Sequence, residues 1–215
     1  METLCAASVA ALPVSGAGLA LMTNAGHGGT VAATDGPATA MENLQETLGE
    51  GPCIDAFREG WPVLHSDLTA TGMVRWPGFA PAALEAGVTA AFAFPLQVGA
   101  IRLGVLDFYR EAAGSLSTSE LALALDFAAA ATSVLLDLQA ELPPGRLHPH
   151  LEDAAASHRE IHQATGMITV QASVGMTEAL LLLRARAYAE ARPLRDLAKD
   201  VVGRRVTFRP EEDPS

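Results

Sequence analysis

The sequence predicts an α+β domain, an antiparallel sheet with helices on its faces, followed by an all-α bundle of three helices. Three observations carry this. Strand-like stretches stop before "ELPPGRLHPH" (141–150), whose Pro143, Pro144, Gly145 and Pro149 no continuous helix would accept. After that break every pattern is helical. Charge divides at the same place: residues 1–144 hold 4 basic and 15 acidic side chains, a balance of −11, while residues 145–209 hold 10 basic and 7 acidic, a balance of +3. Hydrophobic residues make up 49% and charged ones 18% of the 215 residues, enough for a packed core and unlike a disordered chain. The expected organisation is a domain over 1–140, a Pro-rich linker over 141–150, a helical domain over 151–208 and an acidic tail over 209–215.

The elements follow in order. "METLCAASVAALPVSGAGLALM" opens the chain, apolar but without the basic region of a secretory signal. "GLALM" (18–22) and "TVAA" (30–33) read as short strands, and the Gly-rich "NAGHGGT" between them as a hairpin loop, since it lacks the GK[ST] ending of a phosphate-binding loop. "TAMENLQETL" (39–48) reads as a helix ended by Gly49, "PVLHS" (62–66) as a strand, and "PGFAPAALEAG" (77–87) as a helix closed by Gly87. "AAFAFPLQV" (90–98) and "IRLGVLDFYR" (101–110) are the best strands, joined by Gly99 and Ala100 in a hairpin-sized gap. Pro95 within the first favours a bulge or an edge. "STSE" (117–120) has a capping-box pattern, and Leu121, Leu125, Ala128, Leu135 and Leu138 form an apolar stripe behind it.

Past the linker, a first helix covers 151–171, with a second capping-box pattern, "SHRE" (157–160), that allows an interruption near Ser157. A second starts at the N-cap Thr177 and a third on Pro193, running to 205. No apolar run reaches the roughly 20 residues of a membrane span. Cys5 and Cys53 are too few for a disulfide framework, which suits a reducing cytoplasm.

No enzyme emerges, and no catalytic residue is nominated. His158 and His162 lie four apart in "SHREIHQATGMITVQ" (157–171), yet the order is HxExH and not the HExxH of a zinc hydrolase. They read as solvated or interfacial, with no metal site assigned. Cys53, in "GEGPCIDAF" (49–57), sits near Glu50, Asp55 and Glu59, which oppose thiolate formation, so a structural cysteine is the simpler reading. Arg184, Arg186, Arg192, Arg195, Lys199, Arg204 and Arg205 make a dense positive set suited to phosphate contacts.

Residues 158–206 resemble the ANTAR domain, a three-helix RNA-binding module of transcription antitermination regulators. The likeness rests on Arg159, Ile161, Gln163, Ala164, Gly166 and Met167 in the first helix, Ala179, Leu183, Arg184 and Ala187 in the second, and Leu194 and Ala198 in the third. Thr165 stands where many members have Lys, which removes one positive charge. The resemblance and the basic set together imply RNA contact by Arg159, Gln163, Ala164, Thr165, Gly166, Arg184, Arg195, Lys199, Arg204 and Arg205. The acidic portion, roughly residues 10–138, is similar to a GAF sensory domain of the form joined to ANTAR modules in actinobacteria. "LGEGPCIDAF", "WPVLHSDL", "RWPGFAPAALEAGVTAAFAFPL" and "IRLGVLDFY" carry that likeness. It implies a small-molecule or redox signal held between sheet and helices, and the candidate pocket residues are Cys53, Trp61, His65, Trp76, Phe92 and Phe94. No cofactor can be named.

The expected function is therefore a cytoplasmic, homodimeric antitermination regulator that binds hairpin loops in nascent RNA. Two alternatives stay open: a sensor whose helical tail binds a protein partner, and a DNA-binding transcription factor.

Overall fold

The computed structural model describes residues 1–23, 26–140, 142, 143, 146 and 148–208. Strands β1 (Gly16–Thr23), β2 (Gly26–Ala33), β3 (Val63–His65), β4 (Ala90–Val98) and β5 (Ile101–Arg110) form one antiparallel sheet in the order β2-β1-β5-β4-β3. Around them lie helices α1 (Glu2–Ala11), α2 (Gly36–Leu48), α3 (Pro52–Glu59), α4 (Met73–Arg75), α5 (Phe79–Glu85) and α6 (Thr118–Ala140), with one π-helical turn at Leu68–Gly72. α7 (Pro149–Ala172), α8 (Met176–Ala189) and α9 (Leu194–Val202) follow. The chain divides into two compact units, residues 1–154 and 155–215, the division falling inside α7.

Alternation along the strands builds two unequal faces in the first unit. Phe92, Phe94, Leu96, Leu106 and Phe108 point to one side, where they pack with residues of α1 and α6. Ala20, Ala91, Ala93, Val105 and Tyr109 point to the other, toward α3, α5 and Trp76. Large side chains thus fill one face, while on the second Ala20, Ala91 and Ala93 leave room beside Tyr109 for the side chains of α2. Local chemistry sets the helices there. Asp35 caps α2 by accepting from the Ala38 N–H at 2.7 Å, and Gly49, at φ 67°, closes it in the left-handed conformation. Pro52 opens α3.

The capping box of α6 is present: Ser117 N–H donates to Glu120 Oε2 at 2.6 Å, and Glu120 N–H donates to Ser117 Oγ at 3.3 Å. Pro95 lies in β4 beyond the short β3 pairing, with a bulge just after it at Leu96/Gln97. The α6 stripe divides. Ala128 and Leu135 are buried with Ala124 and Ala131, whereas Leu125 turns outward with Val134 and Leu136. By length and composition alone α6 could cross a membrane, contrary to the sequence expectation, but its inner side is built into the core of the first unit.

Several boundaries differ from expectation. β2 begins at Gly26, so most of the Gly-rich stretch is strand; residues 24 and 25 lie outside the described residues. Gly runs read as turns from sequence, yet cross-strand pairing with β1 overrides that preference. The apolar opening forms α1, which buries Cys5. α7 passes through Ser157 without a break. α8 is capped at Gly175, not Thr177, and α9 stops at Val202. Linker positions 141, 144, 145 and 147 and the acidic tail also fall outside the described residues.

Candidate functional site

The second face of the sheet buries a polar cluster. α2 presents Glu42, Gln45 and Glu46, which share a helical side at spacings of three and four. Gly18 of β1 makes room for Glu42, because a Cβ there would run into its carboxylate. His27, on β2, has Nε2 3.6 Å from Glu42 Oε2 and Nδ1 3.5 Å from Glu46 Oε1. The Tyr109 hydroxyl donates to Glu42 Oε1 at 2.7 Å and accepts from Gln45 Nε2 at 3.0 Å. Gln45 Oε1 in turn accepts the Cys53 N–H at 2.8 Å. One polar chain therefore ties β2, α2, β5 and α3 together. Beside it stands Asp107, only 1% exposed, whose carboxylate has the Cys53 thiol as its polar neighbour and no backbone N–H partner among the described residues.

Three buried carboxylates face one imidazole, and the electrostatics follow. Burial opposes the imidazolium of His27, but Glu42 and Glu46 outweigh it and hold its pKa up at about 9. Contacts of 3.5–3.6 Å exceed hydrogen-bond length, so charge attraction carries this effect. The Gly29 N–H also approaches Nδ1, at 3.2 Å, a contact suited to a neutral ring. Two carboxylates outweigh that single dipole, and we read the ring as charged. Burial, then the charge of Glu42, push Asp107 well above the usual carboxylate range and favour its protonated form. Burial, then Asp107 and Glu42, push the Cys53 thiol up as well. Its sulfur lies 3.7 Å from Met22 Sδ, and a sealed, protonated thiol is a poor nucleophile.

The six expected pocket residues do not meet. Phe92 and Phe94 face the opposite side of the sheet, because they alternate with Ala91 and Ala93. Trp61 is 66% exposed. Only Cys53, His65 and Trp76 lie on the side of the polar cluster. There the ring of His65 meets the edge of Trp76 at 4.9 Å, and Trp76 Nε1 donates to Asp55 at 3.0 Å. Sequence reasoning missed His27, Glu42, Gln45, Glu46, Asp107 and Tyr109. Asp107 was detectable: it alternates with Val105 and Tyr109 in an apolar strand, so an inward charge follows from period two.

In the second unit the expected RNA residues separate into exposed, paired and buried groups. Arg159 and Gln163 project from α7 into solvent, with Gly166 half-buried on the same side. Arg159 and Arg204 make no ion pair among the described residues, and Lys199 and Arg195 make only long ones, 3.9 Å to Glu160 and 4.0 Å to Asp196. Arg205 is held by Asp200 at 2.6 Å, as is Arg192 at 2.5 Å. Arg186 donates to Glu190 at 2.7 Å and to the Thr207 carbonyl at 3.0 Å, with its guanidinium over the Phe208 ring. Arg184 is half-buried. Two expectations are corrected. Ala164, at 0% exposure, belongs to the helical core with Ile161, Ile168 and Leu183. Thr165, at 3%, donates its hydroxyl back to the Ile161 carbonyl at 2.7 Å. Neither can touch RNA from there. Among the described residues, no group of three or more His, Cys, Asp or Glu side chains comes together in metal-binding geometry.

Comparison with known proteins agrees with this division. The family model of the GAF domain matches residues 1–136, and that of the ANTAR domain matches residues 150–202. No curated protein sequence matches. Among solved structures, a domain assigned to a two-component sensor histidine kinase of Sinorhizobium meliloti 1021 aligns at 22% identity and TM-score 0.52, covering 65% of this chain and 91% of that one. The GAF domain region of a protein assigned to the membrane in Geobacter sulfurreducens PCA aligns at 16% identity and TM-score 0.52, covering 62% and 88%. A GAF domain/HD domain protein from Geobacter sulfurreducens aligns at 15% identity and TM-score 0.51, covering 64% and 91%. At such identities these structures speak for the fold alone. The two matched families are regulatory. This chain belongs to the GAF domain family over residues 1–136 and carries an ANTAR domain over residues 150–202.

Proposed function

We propose that the chain is a transcription antitermination regulator of the actinobacterial kind, in which the GAF unit senses a small molecule and the ANTAR unit binds hairpin loops of nascent RNA. The observation that carries this reading is the set of solvent-reached cations on an ANTAR fold: exposed Arg159 beside Gln163 on α7, half-buried Arg195 and exposed Lys199 on α9, and exposed Arg204 after it. Cations that are exposed and weakly paired can exchange their counterions for phosphates, whereas those already bridged to carboxylates contribute less. Arg184, Arg205 and Gly166 complete the proposed contact set. No bond is made or broken: holding one RNA fold lowers the population of a competing terminator.

The sealed thiol of Cys53 gives a redox signal no support, and the signal we propose is a small molecule. The protein acts in the cytoplasm as a homodimer. The outward residues Leu125, Val134 and Leu136 of α6 support self-association, which would present two ANTAR units to tandem loops and raise avidity.

The test is binding of the full chain to a pool of structured RNAs across a salt series. Binding should weaken steeply with salt, and alanine at Arg159, Arg195, Lys199 and Arg204 should flatten the dependence by roughly 0.7–0.9 per lost phosphate contact. Preference for duplex DNA over RNA loops, or an unchanged slope in the variant, would sink the reading. So would indifference to RNA at low ionic strength.

A further inference from the structure

The exposed side of α7 holds a pair of histidines outside the proposed RNA contact set. His158 and His162, one helical turn apart, bring their Nε2 atoms to 3.0 Å, with ring centroids at 4.3 Å and planes at 82°. His162 is exposed and His158 half-exposed, so an ion can reach both nitrogens from solvent.

We propose that His158 and His162 form a bidentate site for a divalent transition metal of the kind that takes imidazole nitrogen, Cu²⁺, Ni²⁺ or Zn²⁺. Their Nε2 atoms, 3.0 Å apart in a shared hydrogen bond, stand close enough for one ion to bond both at metal–imidazole lengths of roughly 2.0–2.1 Å. Spacing of four on a continuous helix fixes the pair, because α7 runs unbroken from Pro149 to Ala172 and presents both rings on one side. Glu160, between them, turns instead toward Lys199, 3.9 Å away. Binding requires each ring to be neutral with its proton on Nδ1, so a proton shared between the Nε2 atoms leaves as the metal enters. The site stands independently of the RNA reading.

The experiment is calorimetric titration of the full, untagged chain with Cu²⁺, Ni²⁺ and Zn²⁺ near neutral pH, with electron paramagnetic resonance of the Cu²⁺ form. We expect one-to-one binding, tightest for Cu²⁺, and coupling to two nitrogens in the Cu²⁺ spectrum. His162→Gln and His158→Gln, both at solvent-reached positions, should each cut affinity at least roughly tenfold while helix content is unchanged. His148→Gln with His150→Gln should leave binding intact. Binding that survives His162→Gln overturns the assignment, as does binding lost only with His148 and His150, or coupling to a single nitrogen.

Discussion

Raising the pH should weaken the GAF unit, and His27 is the reason. Its imidazolium is held between Glu42 and Glu46, which lift its pKa from 6.5 to about 9. A group raised on folding contributes stability that is fully present below its unfolded pKa and is lost as pH climbs through the folded value. The window is therefore about pH 6.5 to about 9, and the size of the rise corresponds to about 3 kcal/mol. Both tryptophans, Trp61 and Trp76, lie in the first unit, so their fluorescence follows that unit alone during urea unfolding. Wild-type protein should lose about 3 kcal/mol between pH 6 and 9. His27→Gln should begin about 3 kcal/mol less stable at pH 6, because two buried carboxylates lose their cation, and should decline much less over the window. Asp107, raised by burial and held down in part by the His27 charge, adds a slope of the same sign that persists in the variant. A shallower decline in the variant therefore reports the loss of the His27 imidazolium. Parallel curves for wild type and variant would refute an imidazolium at this position.

Three further outcomes follow from the same geometry. Gly18→Ala should destabilise the first unit by about 2 kcal/mol in the fluorescence assay, since Glu42 is pinned by Tyr109 and His27 and cannot yield; Gly36→Ala, with open space around it, should be near neutral. Leu183→Ala should cost about 3 kcal/mol in the helical unit, read by circular dichroism, because Leu183 is fully buried among Ile161, Ile168 and Leu197. Asp200→Asn should free Arg192 and Arg205 from their bridges and steepen the salt dependence of RNA binding by roughly one to two phosphate contacts. A slope equal to wild type would show that neither arginine reaches the RNA.

Patterning alone determined the class of each part of this protein. Strand alternation before residue 141, three helices after it and the reversal of charge between them were all legible, because burial periodicity and net charge are local properties of the chain. Local pairs were equally readable: the Ser117–Glu120 capping box and the His158–His162 spacing need only one helical turn. Tertiary structure decided everything that depends on which side of an element meets which neighbour. Aromatic character suits Phe92 and Phe94 to a pocket, yet register turns them to the far side of the sheet and brings Asp107 and Tyr109 of one strand to Glu42, 65 and 67 residues earlier. Likewise folding buries Ala164 and Thr165, which helix periodicity by itself left open to RNA, and bridges Arg205 to Asp200. Composition can count charges, but only packing determines which are sealed, which are neutralised and which remain open to a partner.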